Sequence, residues 1–336
     1  MTLPELNLVV TIDAEEDNWG YEARESSVEN IKMVPRLQTL FDRYRVKPSY
    51  MVSYQVASCD WAVGILSDIL SRGCCEIGAH LHPWNTPPVK EEINERNSMM
   101  KNLPYDLQVE KIDTLTDKIE KAFEKRPLSF RAGRWGLGQN TVKALISLGY
   151  LVDTSVTPTL SWKNNADGPE YRNVKTGPFW ISTDVNEYGN NNLNAILEVP
   201  VTIGFNRWPF EFWQKIYSQI QKDWLQILHP IGVMNRTGLL KKIWLSPEGQ
   251  SAEDMIALMK IMISNGMKTL NMSFHTTSLL PGKSPFVRDA KELEQFYSKI
   301  QAVLEYLSVS TNMTSLTLST VARHADLIET GQQSAM

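Results

Sequence analysis

Cys75-Glu76-Ile77-Gly78-Ala79-His80-Leu81-His82 reads as a short buried strand that ends in two of the chain's five histidines. Side chains two residues apart in an extended segment point the same way, so both imidazoles address one point in space. Neutral imidazole is the commonest metal ligand among protein side chains. A bare His-x-His is also what two ordinary surface or core-edge histidines look like. Its meaning depends on what the other strand ends bring to that point.

Toward the N-terminus, the β-branched run Leu8-Val9-Val10-Thr11-Ile12 predicts a buried strand. It runs into Asp13-Ala14-Glu15-Glu16-Asp17-Asn18-Trp19, an acid cluster at a strand end, where α/β folds gather their chemistry. Asp13 and Glu15 share a side if the extended geometry continues. The same cluster also fits an acidic loop or a helix cap. Apolar spacing predicts helices over 27–44 and 60–70, with a strand at 48–53 between them. Beyond the histidines, 85–102 is polar with two prolines and reads as a loop over the site. A long helix is expected over 104–124.

The alternation continues. Pro127-Leu128-Ser129-Phe130 is a strand followed by Arg131-Ala132-Gly133-Arg134-Trp135. A helix over 140–148 follows, capped by Gly149, and Tyr150-Leu151-Val152 is a strand ending at Asp153. Strand, helix, strand with polar residues collecting at strand ends is the signature of a parallel α/β sheet. From about residue 157 to 200 the rhythm breaks into segments rich in Asn, Asp, Gly and Pro, which read as two or three short strands or a long excursion, including 196–201. Helices are predicted over 209–228, 251–264 and 290–306, a strand at 269–274 ending in His275, another at 315–318, and a closing helix from Ser319. No repeat or linker divides the chain. The expected organisation is one domain over 1–330, with an irregular substrate-facing excursion at about 157–250 and a polar tail at 331–336.

Composition narrows the function. The 336 residues are 42% hydrophobic and 21% charged with a net charge of −4, ordinary values for a globular chain. No basic stripe suggests nucleic acid, and no apolar run is long enough to span a bilayer. Three cysteines, two of them vicinal at Cys74 and Cys75, do not make a disulfide framework. With no secretory leader pattern at the N-terminus, the expected location is the cytoplasm. Ten tryptophans fill core, or stack on the apolar faces of a ligand such as a sugar.

A carboxylate and two histidines would give a divalent metal three protein ligands and leave room for water and substrate. A second carboxylate could take a proton from that water, a histidine opposite could protonate a leaving amine, and Arg131 could hold the base. That is a kit for hydrolysing an amide or ester.

These residues resemble the motifs of the polysaccharide deacetylases, the NodB-homology group of carbohydrate esterase family 4. The likeness covers about residues 8–156 and 268–286. Thr11-Ile12-Asp13-Ala14-Glu15 is similar to the first motif, whose first Asp is the general base. Most members carry the metal Asp next, where this chain has Ala14. Intracellular relatives place an acid two residues after the base, as Glu15 is here. His80-Leu81-His82-Pro83 resembles the second motif, two residues shorter than the usual His-x-x-x-His-Pro. Phe130-Arg131-Ala132-Gly133-Arg134-Trp135 resembles the third, Asp153-Thr154-Ser155 the fourth, and Phe274-His275 the fifth.

The resemblance implies a distorted (β/α)7 barrel. It implies a divalent metal, Zn²⁺ by ligand type, on Glu15, His80 and His82, with Asp13 as base and His275 as acid. Arg131 and Asp153 would set charge and tautomer. Trp135, Trp84 and Arg134 would bind an acetylated saccharide, helped by Trp180 and Trp208. The implied reaction is removal of an N-acetyl group from a sugar or from a precursor of surface polysaccharide. Two alternatives stay open: a hydrolase of the same fold acting on a non-sugar C–N bond such as a cyclic amide, and a non-catalytic carbohydrate-binding relative.

Overall fold

Strands that are apolar on both faces cannot stand alone, and here they assemble into one curled parallel sheet with helices outside it. The structure, a computed structural model, describes residues 3–17, 20–22, 26–183, 194–220 and 239–333. Trp19, positions 184–193 of the irregular excursion, the later part of the helix expected over 209–228 and the last three residues of the tail lie outside the described residues.

The strands are β1 (Glu5–Ala14), β2 (Ser49–Val52), β3 (Glu76–Leu81), β4 (Ser129–Ala132), β5 (Val152–Asp153), β6 (Phe179–Ser182), β7 (Ala195–Glu198), β10 (Thr269–His275) and β11 (Asn312–Ser315). β8 (Ile203–Phe205) and β9 (Lys242–Trp244) form a separate antiparallel pair. In the main sheet the order is β10-β1-β2-β3-β4-β5-β7-β6, with β11 also on β1. Only β6 runs antiparallel, against β7. β1 is longest and takes three neighbours: β10 along Asn7–Asp13, β11 along Glu5–Leu8, and β2 along Thr11–Ala14.

Helices α1 (Val34–Arg43), α2 (Tyr54–Ala57), α3 (Asp60–Ser71), α4 (Tyr105–Phe123), α5 (Gln139–Ser147), α6 (Phe210–Ile220), α7 (Ala252–Ser264), α8 (Ala290–Ser310) and α9 (Leu318–Gln333) connect the strands. Where signals were strong the bounds agree with the sequence reading. At α7, Ser251 caps the helix and accepts from the Asp254 amide at 3.1 Å. At the C-terminus the strand lies at Asn312–Ser315 rather than 315–318, because the free lower edge of β1 selects the register. The β8–β9 pair was not anticipated. Its strands are only three residues long, too short to show a period.

Two apolar clusters flank the sheet. The larger packs α1, α3, α4, α5, α7 and α8 against its outer face. A smaller one lies on the other face, where Val9, Met51, Val152 and Leu197 meet Leu318, Val321 and Ala322 of α9. The start of α9 is held there by the sheet itself. The Leu318 amide donates to Ser49 Oγ at 3.0 Å and the Ser319 amide to Glu76 Oε2 at 3.0 Å, satisfying first-turn donors with an acid where helix dipoles favour one.

Further along the strands on that face, side chains become polar. Thr11 Oγ1 donates to Asn271 Oδ1 at 2.9 Å, and the fully buried Arg131 donates to Thr11 Oγ1 at 2.6 Å and to the Thr154 carbonyl at 3.0 Å. The apolar layer closes one end, the hydrogen-bonded layer rigidifies the middle, and the C-terminal strand ends are left for chemistry.

Candidate active site

Register puts the strand-end residues together. Asp13 on β1 is paired with His275 on β10, and His80 on β3 with Arg131 on β4. The i, i+2 reading holds at the ends of β1 and β3: Asp13 and Glu15 share a side, as do His80 and His82. Glu15 Oε2 stands 3.3 Å from His80 Nε2 and 3.4 Å from His82 Nε2. One ligand atom from each of Glu15, His80 and His82 falls within 4.8 Å of the others, and all three residues are buried.

The far sides of both rings show what the near sides offer. His80 Nδ1 lies 3.2 Å from the Arg131 carbonyl oxygen. A carbonyl only accepts, so Nδ1 carries a proton there, and Nε2 is the ring nitrogen that faces Glu15. His82 Nδ1 lies 2.8 Å from Glu16 Oε1, a carboxylate-histidine pairing of the kind that orients metal ligands. Burial alone would raise the Glu16 carboxyl, but the His82 charge and hydrogen bond hold it down at about 2. The donor set of one carboxylate and two imidazoles, each ring fixed from behind, fits a divalent transition metal.

Gly133, just past β4, makes room for this. A Cβ there would come within 2.3 Å of His82 Cδ2 and 2.7 Å of the Leu81 carbonyl oxygen. Gly133→Ala is therefore expected to displace the His82 ring and weaken divalent-metal affinity about tenfold or more, with far-UV circular dichroism unchanged. A metal titration of the variant measures it.

Asp13 sits beside this triad. Its Oδ1 accepts from Arg131 Nη1 at 2.6 Å, and its Oδ2 lies 3.5 Å from His275 Nε2 and 3.9 Å from His80 Nε2. Burial pushes its carboxyl up, but the Arg131 guanidinium and then the neighbouring imidazoles bring it down to about 2, so it stays ionised. His275 Nδ1 lies 2.9 Å from Glu248 Oε2, while Glu248 Oε1 accepts from the His275 amide at 3.1 Å and from the Ser278 hydroxyl. Burial would lower the His275 imidazole. The adjacent Glu248 carboxylate, then Glu15 and Asp13, raise it to about 10, which makes it a proton donor at neutral pH.

Asp153 was expected to set the tautomer of a catalytic partner. It lies elsewhere. Asp153 is fully buried on β5 in register with Glu198 of β7, and accepts from the Ser155 amide at 2.9 Å and the Ser155 hydroxyl at 2.8 Å. β5 is two residues long and its side chain is turned toward β7 instead of the cavity. Glu248 takes the place beside His275.

The Asp153–Glu198 pair has its own chemistry. Burial raises both carboxyls, Glu198 well above its usual value. Glu198 Oε2 receives no hydrogen bond from a donor side chain or amide, and after burial the Asp153 charge raises the Glu198 carboxyl further, so the protonated form is favoured there. Above the ordinary carboxyl range of about 4 the folded chain then holds a proton that the unfolded chain has lost, and stability falls as pH rises. Glu198→Gln supplies a permanent donor. Urea midpoints measured across pH are expected to be flatter for the variant and no lower than wild type at neutral pH.

A cavity of about 410 Å³ opens over these groups, reaching Asp13, Glu15, His80, His82, Arg131 and His275. The expected Trp84, Arg134 and Trp135 line it. Trp84 stacks on His82 with ring centroids 4.2 Å apart, and the Arg131 guanidinium lies 5.0 Å over the Trp135 ring. Arg134 donates to Asn165 Oδ1 at 2.9 Å and to Ser98, so it is tied into the wall. Trp180 and Trp208 are not on the lining. Trp180 packs on the cluster around Val152 and Leu197, and Trp208 stands 44% exposed beside Phe210.

Tyr21, Trp162 and Asn165 also line it, from segments with no periodic signal. The loop after His82 is anchored by the buried Lys111 of α4, which donates to the carbonyls of Pro83 at 2.8 Å and Thr86 at 2.7 Å. Among the described residues no helix is long and apolar enough to cross a membrane.

No family model matches the chain, and no curated protein matches it in sequence. Solved structures do resemble it. A Mycobacterium smegmatis protein assigned as a polysaccharide deacetylase superposes with a TM-score of 0.58 at 13% identity, over 97% of this chain and 92% of that one. The PuuE allantoinase gives 0.56 at 12% identity, over 95% and 89%. A Pseudomonas aeruginosa protein also assigned as a polysaccharide deacetylase gives 0.55 at 14% identity, over 95% and 90%. The fold expected from the motifs is thus the fold observed: this chain has the NodB-type (β/α) barrel of the polysaccharide deacetylases.

Proposed function

We propose that this protein is a metal-dependent hydrolase that removes an N-acyl group, N-acetyl in the first instance, from a sugar or saccharide precursor of surface polysaccharide. The observation that carries the reading is the convergence of Glu15, His80 and His82 within 4.8 Å of one another, with Asp13 on one side and a protonated His275 beside it.

A divalent ion held by those three residues, Zn²⁺ by their chemistry, would polarise the acyl carbonyl and acidify a water. Asp13, ionised and clamped by Arg131, accepts the proton of the attacking water. His275, charged and held by Glu248, donates a proton to the departing amine. Trp84, Trp135 and Trp162 offer flat apolar faces to a sugar ring, and Arg134 and Asn165 offer polar contacts at the rim. A cytoplasmic location and a soluble or lipid-linked substrate belong to the same proposal. The three cysteines, Cys59, Cys74 and Cys75, are free thiols, which supports a reducing compartment.

Glu248→Gln tests the proton donor. Without that carboxylate the His275 imidazole falls toward its ordinary value, so the basic limb of the rate profile moves to lower pH. Turnover is expected to drop about 10- to 100-fold, as for other groups that act through a partner. A pH–rate profile measures both.

A second reading, hydrolysis of a non-sugar C–N bond such as a cyclic amide, has one specific support, the fold shared with the PuuE allantoinase. The two are separated by assaying acetate release from N-acetylated amino sugars beside ring opening of cyclic ureides, each with one equivalent of zinc. Acetate release supports the sugar deacetylase. Ureide opening alone replaces it with the second reading, and no turnover of either class contradicts both.

A further inference from the structure

A narrower cavity of about 230 Å³ opens beside His275, with Trp244, Ser246, Glu248, Phe274 and Phe286 on its wall. It meets the wide cavity of about 410 Å³ along Asp13, Arg131, Trp135, Trp162 and His275, which line both. The proton acceptor and the proton donor therefore stand where the two cavities join. A bond cut between them lies at that junction, and each cavity receives the group on one side of it. Trp135, common to both, and Trp244, of the narrow cavity alone, stand with ring centroids 5.4 Å apart.

The two cavities offer different chemistry. The wide one carries Tyr21, Asn165 and the Arg134 guanidinium, which has more N–H donors than those it gives to Ser98 and Asn165. The narrow one has its polar groups engaged inside the protein. Trp244 Nε1 donates to Ser273 Oγ at 3.0 Å, Trp162 Nε1 to Thr157 Oγ1 at 2.9 Å, and the Glu248 amide to Ser246 Oγ at 3.3 Å. The Glu248 carboxylate is taken up by the His275 amide and ring and by the Ser278 hydroxyl. What remains on that wall is the aromatic surface of Trp135, Trp162, Trp244, Phe274 and Phe286. A sugar placed there would lose water from its hydroxyls without replacement, whereas an apolar chain gains by leaving water. Size points the same way. A cavity of about 150 Å³ accepts benzene, so the narrow cavity holds far more than the methyl of an acetyl group.

We propose that the narrow cavity is an acyl pocket and that the substrate carries an N-acyl group longer than acetyl, a saturated chain of about four to six carbons, on an amino sugar seated in the wide cavity. This rests on the hydrolase reading given above. The oxygen of water joins the acyl carbon, and the C–N bond breaks with its electron pair going to nitrogen. The nitrogen takes a proton from His275. The products are a short-chain carboxylate in the narrow cavity and a sugar amine in the wide one. Phe286, 40% exposed, marks the outer end of the pocket and meets the far end of the chain, so it sets chain length.

The full-length protein with one equivalent of zinc is assayed on N-acetyl-, N-butanoyl- and N-hexanoylglucosamine. The same three compounds are titrated calorimetrically into Asp13→Asn, whose slowed turnover lets binding be read. A buried methylene is worth about fourfold, so N-butanoyl is expected to exceed N-acetyl about tenfold, both in kcat/KM and in affinity for Asp13→Asn. Phe286→Ala should reduce the preference for N-hexanoyl over N-acetyl about tenfold, a ratio measured within one preparation. Hydrolysis of N-acetyl as fast as N-butanoyl or faster overturns the acyl pocket and leaves the deacetylase reading standing. No hydrolysis of any of the three, with N-butanoyl still bound more tightly than N-acetyl, overturns the hydrolytic reading and supports the pocket. No hydrolysis and no such preference overturns both, and an unchanged ratio in Phe286→Ala overturns the role given to Phe286.

Discussion

Asp13→Asn is expected to lower turnover by about 10³-fold while leaving the divalent ion bound. The substitution keeps the shape of the side chain and removes its charge. Asn still offers an oxygen to Arg131, whose Nη1 stands 2.6 Å from Asp13 Oδ1, but it no longer accepts a proton from water. General acid–base groups contribute about 10²–10⁴-fold, and this one has no carboxylate to replace it, since Glu15 is drawn 3.3 and 3.4 Å toward the two histidines. The variant also leaves the fully buried Arg131 without its counter-charge, at a cost of about 3 kcal/mol in stability. Steady-state kinetics, metal analysis and chemical denaturation separate the three effects. Wild-type turnover in Asp13→Asn would remove Asp13 from the proton-accepting role.

His80→Ala should lose both metal and activity. The imidazole supplies one of three converging ligand atoms, and no other described side chain belongs to that group. Groups that merely orient a metal ligand are worth about 10- to 100-fold in affinity, so removing a ligand itself should cost at least about 100-fold, with turnover falling to background. The fold should survive, because His80 Nδ1 makes a single hydrogen bond, to the Arg131 carbonyl oxygen at 3.2 Å. Metal titration with kinetics on the same preparation distinguishes this from Asp13→Asn: one variant loses the ion, the other keeps it and loses the proton transfer.

How far the sequence foretold these residues depends on where each sits. Asp13, Glu15, His80, His82, Arg131 and His275 all stand at the ends of strands with clear apolar runs. Two-residue spacing in an extended chain was enough to aim the side chains together. Glu16 was quoted only as one acid in a cluster. Its distinct role, gripping His82 Nδ1 at 2.8 Å, depends on a turn that no period encodes. Glu248 was missed because it lies in an irregular loop just past a three-residue strand, with only its neighbours Pro247 and Gly249 as punctuation.

Asp153 shows the reverse error. Its place after a strand resembled a motif, but register on a two-residue strand turned it toward Glu198 instead of His275. The aromatic wall divides the same way. Trp84 and Trp135 follow strand ends and reach the cavity, whereas Trp162 arrives from the irregular excursion, and Trp180, on a strand, is spent on packing. Residues whose position follows from the strand they terminate were legible, and residues delivered by loops were not.

A metal held by Glu15, His80 and His82 underlies every step proposed for this site. Its most direct test is equilibrium zinc binding to the wild-type protein and to His80→Ala at neutral pH, followed by metal analysis after dialysis. One zinc per wild-type chain and none retained by His80→Ala is the expected result. Absence of stoichiometric zinc from the wild type, or equal retention by the variant, would contradict it.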